Sequence, residues 1–97
     1  MPTHEEWAQF LREVSNLTPR ERTRFLVAVR KMVADLQTGR GFRPGLRVTR
    51  VEGHENVYEM TWAPDGRATF TYGAEGYPGE PHIIWRRIGG HDILAHP

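Results

Sequence analysis

Cysteine is absent from the 97 residues. That removes disulfides, thiolate zinc sites, iron–sulfur clusters and cysteine nucleophiles together, and it suits a reducing compartment. Lysine is almost absent, since Lys31 stands beside twelve arginines; a GC-rich genome is enough to explain that bias. An excess of charge is missing too. The 13 basic and 12 acidic residues leave +1, so no global field draws in nucleic acid. No apolar run approaches the roughly 18 residues of a membrane span. The polar start Met1-Pro2-Thr3-His4-Glu5-Glu6 does not read as a secretory leader. A cytoplasmic protein without membrane association is the expectation. There is also no Gly-rich phosphate loop and no G-x-S-x-G elbow.

What is present argues for a folded chain. Three Trp, three Tyr and four Phe oppose disorder despite a low mean hydropathy. The length fits one domain, 1–97. Thr3 with Glu6 reads as a capping box, followed by Trp7, Phe10, Leu11, Val14 and Leu17 at helical spacing. Thr18-Pro19-Arg20-Glu21 is a second capping box with Pro at the first helical position. Phe25, Leu26, Val29, Met32, Val33 and Leu36 continue it, and Gly39 is the natural stop. The spacing predicts helices over 3–16 and 18–38, joined as an antiparallel hairpin within 1–39.

After Gly39 the period changes to two. Residues 46–52, 57–62, 67–72 and 82–88 read as strands, with 40–45, 53–56, 63–66 and 73–81 as loops or turns. His91 to Leu94 suits a short strand or turn. The fold class is therefore α+β: the helical hairpin on one face of a four-stranded antiparallel sheet over 46–95. Tyr58, Met60, Trp62, Ala68, Phe70 and Tyr72 should face the helices. Glu59, Thr61, Arg67, Thr69 and Thr71 should form a solvated outer face. Trp7, Trp62 and Trp85 stand at apolar positions that suit the core.

Chemistry concentrates in two places. Residues 40–50 hold Arg40, Arg43, Arg47 and Arg50 and no acid, a basic stretch in a neutral chain. His91 follows Arg86-Arg87-Ile88-Gly89-Gly90, so an imidazole suited to proton transfer leaves a strand end beside two phosphate-binding side chains. An exposed turn histidine would look the same. Zinc held by His91, Asp92 and His96 is a further alternative, with loose spacing and none of the cysteines such sites favour. His4, His54, His82 and His96 read as surface or turn residues.

The succession Leu46-Arg47-Val48-Thr49-Arg50-Val51-Glu52-Gly53, Val57-Tyr58-Glu59-Met60, Gly66-Arg67-Ala68-Thr69-Phe70 and His82-Ile83-Ile84-Trp85-Arg86-Arg87-Ile88-Gly89-Gly90-His91-Asp92 resembles the RelE/ParE superfamily of bacterial toxins, over residues 40–95. The Ala63-Pro64-Asp65 turn and the Gly90-His91-Asp92 ending look most like the YafQ branch. The resemblance implies the toxin of a type II toxin–antitoxin pair, an mRNA interferase acting on the ribosome without metal or other cofactor. Its partners would be a cognate antitoxin, the ribosome and mRNA. Catalytic residues carried over are His91, Asp65 and Arg67. Arg86 and Arg87 beside His91, and Arg47, Arg50 and Arg43 of the basic stretch, would bind RNA phosphates. A ParE-like inhibitor of DNA gyrase, or a non-toxic binding domain of the same fold, is the alternative. Members of the family usually begin with a β-strand, where this sequence reads as helix, and Thr61 and Glu59 replace a catalytic His and a Lys of related branches.

Overall fold

Ile83, Trp85 and Ile88 are all buried, so the strand that carries them belongs inside a sheet, and both of its edges carry backbone groups that need partners. That requirement sets the topology. A computed structural model describes residues 2–75 and 80–97; the middle of the expected 73–81 loop lies outside them. Chain order is β1 (Thr3–Glu6), α1 (Ala8–Ser15), α2 (Pro19–Thr38), a 3₁₀ turn at Pro44–Leu46, β2 (Thr49–Arg50), β3 (Tyr58–Thr61), β4 (Arg67–Gly73), β5 (His82–Gly89) and a 3₁₀ turn at His91–Ala95. The sheet order is β1-β5-β4-β3-β2. β4 covers one edge of β5 antiparallel. β1 covers the other in parallel, Thr3 beside His82 and Glu6 beside Trp85.

The first segment therefore corrects the sequence reading twice. Residues 3–6 are a strand rather than a helix start, and the sheet is five-stranded and mixed rather than four-stranded and antiparallel. The Thr3 hydroxyl does not cap a helix; it lies 2.7 Å from His82 Nδ1. His82 Nε2 lies 3.1 Å from Glu5 Oε1, so His82 joins two strands and is not the surface residue expected. Beyond Trp85 the free edge of β5 is finished by Glu13, which accepts from the Ile88 N–H at 3.3 Å. Helix α1 starts only at Ala8, and Trp7 and Leu11 fall outside the core, at 43% and 55% exposure.

The second capping box is present in full: the Thr18 hydroxyl accepts from the Glu21 N–H, and the Glu21 carboxylate accepts from the Thr18 N–H. Phe25, Ala28 and Met32 form the buried face of α2, while Leu26 is exposed. Phe10 of α1 stacks on Trp85, and Phe25 of α2 meets Trp62 and Trp85 edge-on. Met60, Ala68 and Phe70 are fully buried beneath them. Tyr72, expected on this inner face, is 43% exposed.

Two further expectations change. The strand expected over 46–52 shrinks to Thr49–Arg50, because Pro44 opens a 3₁₀ turn and Arg47 adopts φ 47, ψ 46. The outer sheet face is not wholly solvated. Thr69 is completely buried there, and its hydroxyl donates to the Pro97 main-chain oxygen at 3.2 Å. A bulge between Thr69 and Phe70 places Arg87 opposite Thr69 and Trp85 opposite Phe70.

Candidate nucleic-acid interface

The turn between β3 and β4 is the centre of the site. Gly66 N–H donates to the Ala63 carbonyl and Trp62 N–H to the Gly66 carbonyl, closing a tight hairpin. A Cβ at Gly66 would stand 2.6 Å from the Trp62 ring, so the indole lies directly on the turn and only glycine admits it. Arg67 grips the same turn, donating from Nη1 to the Ala63, Pro64 and Gly66 carbonyls at 3.5, 3.3 and 3.0 Å.

One side of this turn faces α2 and the loop after it, enclosing a cavity of about 620 Å³. Helical spacing brings Arg24, Val27, Ala28 and Lys31 to its wall, and the 3₁₀ turn brings Arg43 and Arg47. With Arg67 that makes five cationic side chains and no acidic one. Arg43 is fixed by Asp35: its backbone N–H donates at 2.9 Å and its guanidinium Nη2 at 2.8 Å. The same contact holds the Asp35 carboxyl below its ordinary pKa and raises that of Arg43. Arg67 stands 3.9 Å from Glu59. Arg24, Lys31 and Arg47 have no acidic partner among the described residues. Concave surfaces that carry unpaired cations attract polyanions in general.

Arg47 holds its place in this wall at a conformational cost. A non-glycine residue in the left-handed region loses roughly 1–2 kcal/mol, and such residues cluster at functional sites. Arg47→Gly is expected to keep or raise the melting temperature while eluting earlier from a heparin column. A clear fall in melting temperature would mean that Arg47 serves the fold and not the groove.

On the other side of the turn, Asp65 meets the strand end that carries His91. Asp65 Oδ1 accepts from the His91 N–H at 3.4 Å, and a Cβ at Gly90 would stand 2.7 Å from Asp65 Oδ2. The His91 imidazole is exposed and has no hydrogen-bond partner among the described residues. Among those residues no group of three or more His, Asp or Glu side chains gathers as metal ligands would, so His91, Asp92 and His96 make no such set.

The structure thus brings Asp65 to His91, and Arg43, Arg47 and Arg67 to the adjoining groove. It does not bring Arg86, Arg87 or Arg50 there. Arg86 lies over the Trp7 ring at 4.1 Å and donates from Nε to the Pro97 oxygen at 2.9 Å. Arg87 binds Glu13 at 2.7 Å and the His96 carbonyl at 3.0 Å, and the Glu13 contact raises its pKa. Both arginines fasten the segment that follows His91. Arg50 is exposed on β2, off the groove wall. Arg24 and Lys31 join the wall beyond the residues the sequence pattern points to; the signal for them is that two cations seven residues apart on one helix share a face.

Neither a protein-family model nor a curated protein matches the sequence. Solved structures do match over nearly the whole chain. The E. coli DinJ–YafQ complex aligns at TM-score 0.66 and 12% identity, covering 97% of this chain and 98% of that one. The Methanococcus jannaschii RelB–RelE antitoxin–toxin complex aligns at TM-score 0.61 and 15% identity, covering 95% and 98%. A mutant toxin from Helicobacter pylori aligns at TM-score 0.60 and 14% identity, covering 97% and 99%. The chain has the RelE-like fold, which it shares with YafQ and RelE as they stand in complex with their antitoxins and with the Helicobacter pylori toxin.

Proposed function

We propose that this chain is the toxin of a type II toxin–antitoxin system and arrests translation by cutting mRNA on the ribosome. One observation carries the reading: a single hairpin turn joins an acid-free groove lined by five cations to a carboxylate held against the segment bearing an exposed histidine. RNA cleavage without metal uses the ribose 2′-hydroxyl as nucleophile. It needs a base, an acid for the departing 5′-oxygen and cations for the phosphorane charge. His91 is the acid, donating its proton to the 5′-oxygen. Asp65 is the base or orients it. Arg67 stabilises the charge, Arg43 and Arg47 bind flanking phosphates, and the product ends in a 2′,3′-cyclic phosphate. Arg86 and Arg87 contribute as phosphate ligands only if RNA displaces their present partners, and Arg50 only if RNA extends beyond the groove.

A cognate antitoxin completes the reading, since two of the solved relatives are held in such complexes. An acidic antitoxin segment in the groove would compete with RNA for the same cations. The test is induction of this gene alone and with its neighbour, with growth, primer extension on cellular mRNA and a gyrase supercoiling assay read together. Growth arrest, new mRNA 5′ ends and rescue by the neighbour are expected. Arrest with intact mRNA and blocked supercoiling would transfer the protein to the gyrase inhibitors. Harmless expression would leave a non-toxic domain.

Gly90 offers a local check. The methyl of Gly90→Ala would push the Asp65 carboxylate away from the His91 segment. Because the group displaced is a short side-chain end, the fold should survive. Cleavage should fall by about 10²-fold, as small misplacements of reacting groups do. Unchanged cleavage would detach Asp65 from the mechanism.

A further inference from the structure

The direction in which His91 leaves β5 is set from outside its own turn. At the near end, the only side chain on its backbone is Asp65, through a long bond of 3.4 Å. From there a continuous chain of hydrogen bonds runs to the far end. The Ile93 N–H donates to the Gly90 carbonyl at 3.2 Å, and the His96 N–H to the Ile93 carbonyl at 3.0 Å. The His96 carbonyl in turn accepts from Arg87 Nη1 at 3.0 Å. Arg87 is therefore the fixed post to which the turn is tied, and what holds Arg87 holds the turn.

Glu13 of α1 holds it. Arg87 donates from Nη2 to Glu13 Oε2 at 2.7 Å and from Nε to Glu13 Oε1 at 3.3 Å, a two-pronged grip that fixes the plane of the guanidinium. Glu13 Oε1 also accepts from the Ile88 N–H at 3.3 Å, which anchors the carboxylate to β5. Both side chains are only 20% exposed, so water competes poorly for the pair. Every nitrogen of Arg87 is thus engaged, and Nη1 is left facing the His96 carbonyl. Neither Arg87 nor any residue of α1 lines the cationic groove. Two roles for Arg87 require opposite things of Glu13. A phosphate ligand would be restrained by that carboxylate, whereas a clamp on the turn depends on it. The engaged nitrogens and the distance from the groove favour the clamp. Resting on the nuclease reading above, we infer that Glu13 is a positioning residue, which through Arg87 and the His96 carbonyl sets where the His91 imidazole stands during proton transfer.

Two variants isolate that role. Glu13→Gln keeps a carbonyl oxygen for the Ile88 N–H but gives up the charge and one of the two acceptors that seat Arg87. Arg87→Lys keeps a cation opposite Glu13 but lacks the planar fork that spans Glu13 and the His96 carbonyl. Thermal melts establish that both fold. Cleavage of one mRNA on translating ribosomes is then followed at rising protein concentration, which separates the rate at saturation from the half-saturating concentration. For both variants the saturating rate should fall about tenfold, less than the roughly 10²-fold cost of a 1 Å misplacement, while the half-saturating concentration stays unchanged. Backbone ¹⁵N order parameters at His91 and His96 should drop from about 0.85 toward about 0.6, with those of α1 and β5 unaltered. The double variant should be no slower than the slower single one, since both break one clamp. A lower half-saturating concentration at an undiminished rate in Glu13→Gln would make Arg87 a restrained phosphate ligand, overturning the inference and leaving the nuclease reading standing. Undiminished rates in both folded variants, or losses that multiply in the double variant, would overturn it in the same way. No cleavage by the unaltered protein would overturn both.

Discussion

His91→Ala is expected to lose growth inhibition on induction and to cut mRNA about 10²–10⁴-fold more slowly, the usual contribution of a positioned general acid. The melting temperature should barely move. The imidazole is exposed with no hydrogen-bond partner among the described residues, and the contact that fastens this segment to Asp65 uses the backbone N–H, which alanine keeps. Ile93, two residues on, supplies the buried anchor of the turn. Antitoxin binding should survive for the same reason. Growth inhibition of full strength in a folded His91→Ala protein would remove His91 from the chemistry and favour gyrase as the target.

Replacing Arg24, Lys31 and Arg47 together by alanine is expected to be the most damaging change to binding. These groove cations have no acidic partner among the described residues, so their removal strands no buried charge. Each substitution should stay within about 0.5 kcal/mol of neutral for stability. Binding to programmed ribosomes should fall steeply at low salt. The plot of log affinity against log salt should flatten by about 2, because each phosphate contact on a single strand contributes roughly 0.7 to the slope. An unchanged slope would mean that the groove does not hold RNA backbone. Single substitutions at Arg43 or Arg67 are poorer probes, since Arg43 also fastens the loop to Asp35 and Arg67 also holds its own turn.

Much of this arrangement was legible in the sequence where local signals were strong. The Thr18–Glu21 capping box and the Ala63-Pro64-Asp65-Gly66 turn read correctly because each is complete within a few residues. The Thr3–Glu6 pair failed because an identical local signal lost to a distant demand. β5 needed a second neighbour, and the first residues of the chain supplied it. Nothing local says which segment answers that need. Leu46 to Glu52 failed differently: its β-branched residues suit a strand, yet Pro44 and the left-handed Arg47 break the run. At the site, the meeting of Asp65 with His91 was accessible only through family resemblance, since 26 residues separate them. Arg86 and Arg87 look like free phosphate ligands in the sequence, which shows neither Glu13 nor the segment after His91 folding back onto them.

The proposed ribosome-dependent ribonuclease activity is tested most directly by incubating the purified chain with ribosomes translating a defined mRNA, alongside the same mRNA without ribosomes, and mapping the new ends. The account predicts cuts confined to the translated region, dependent on ribosomes, with 2′,3′-cyclic phosphate on the upstream fragment and no cuts with His91→Ala. Intact mRNA on ribosomes, with the same preparation blocking gyrase supercoiling, would contradict it.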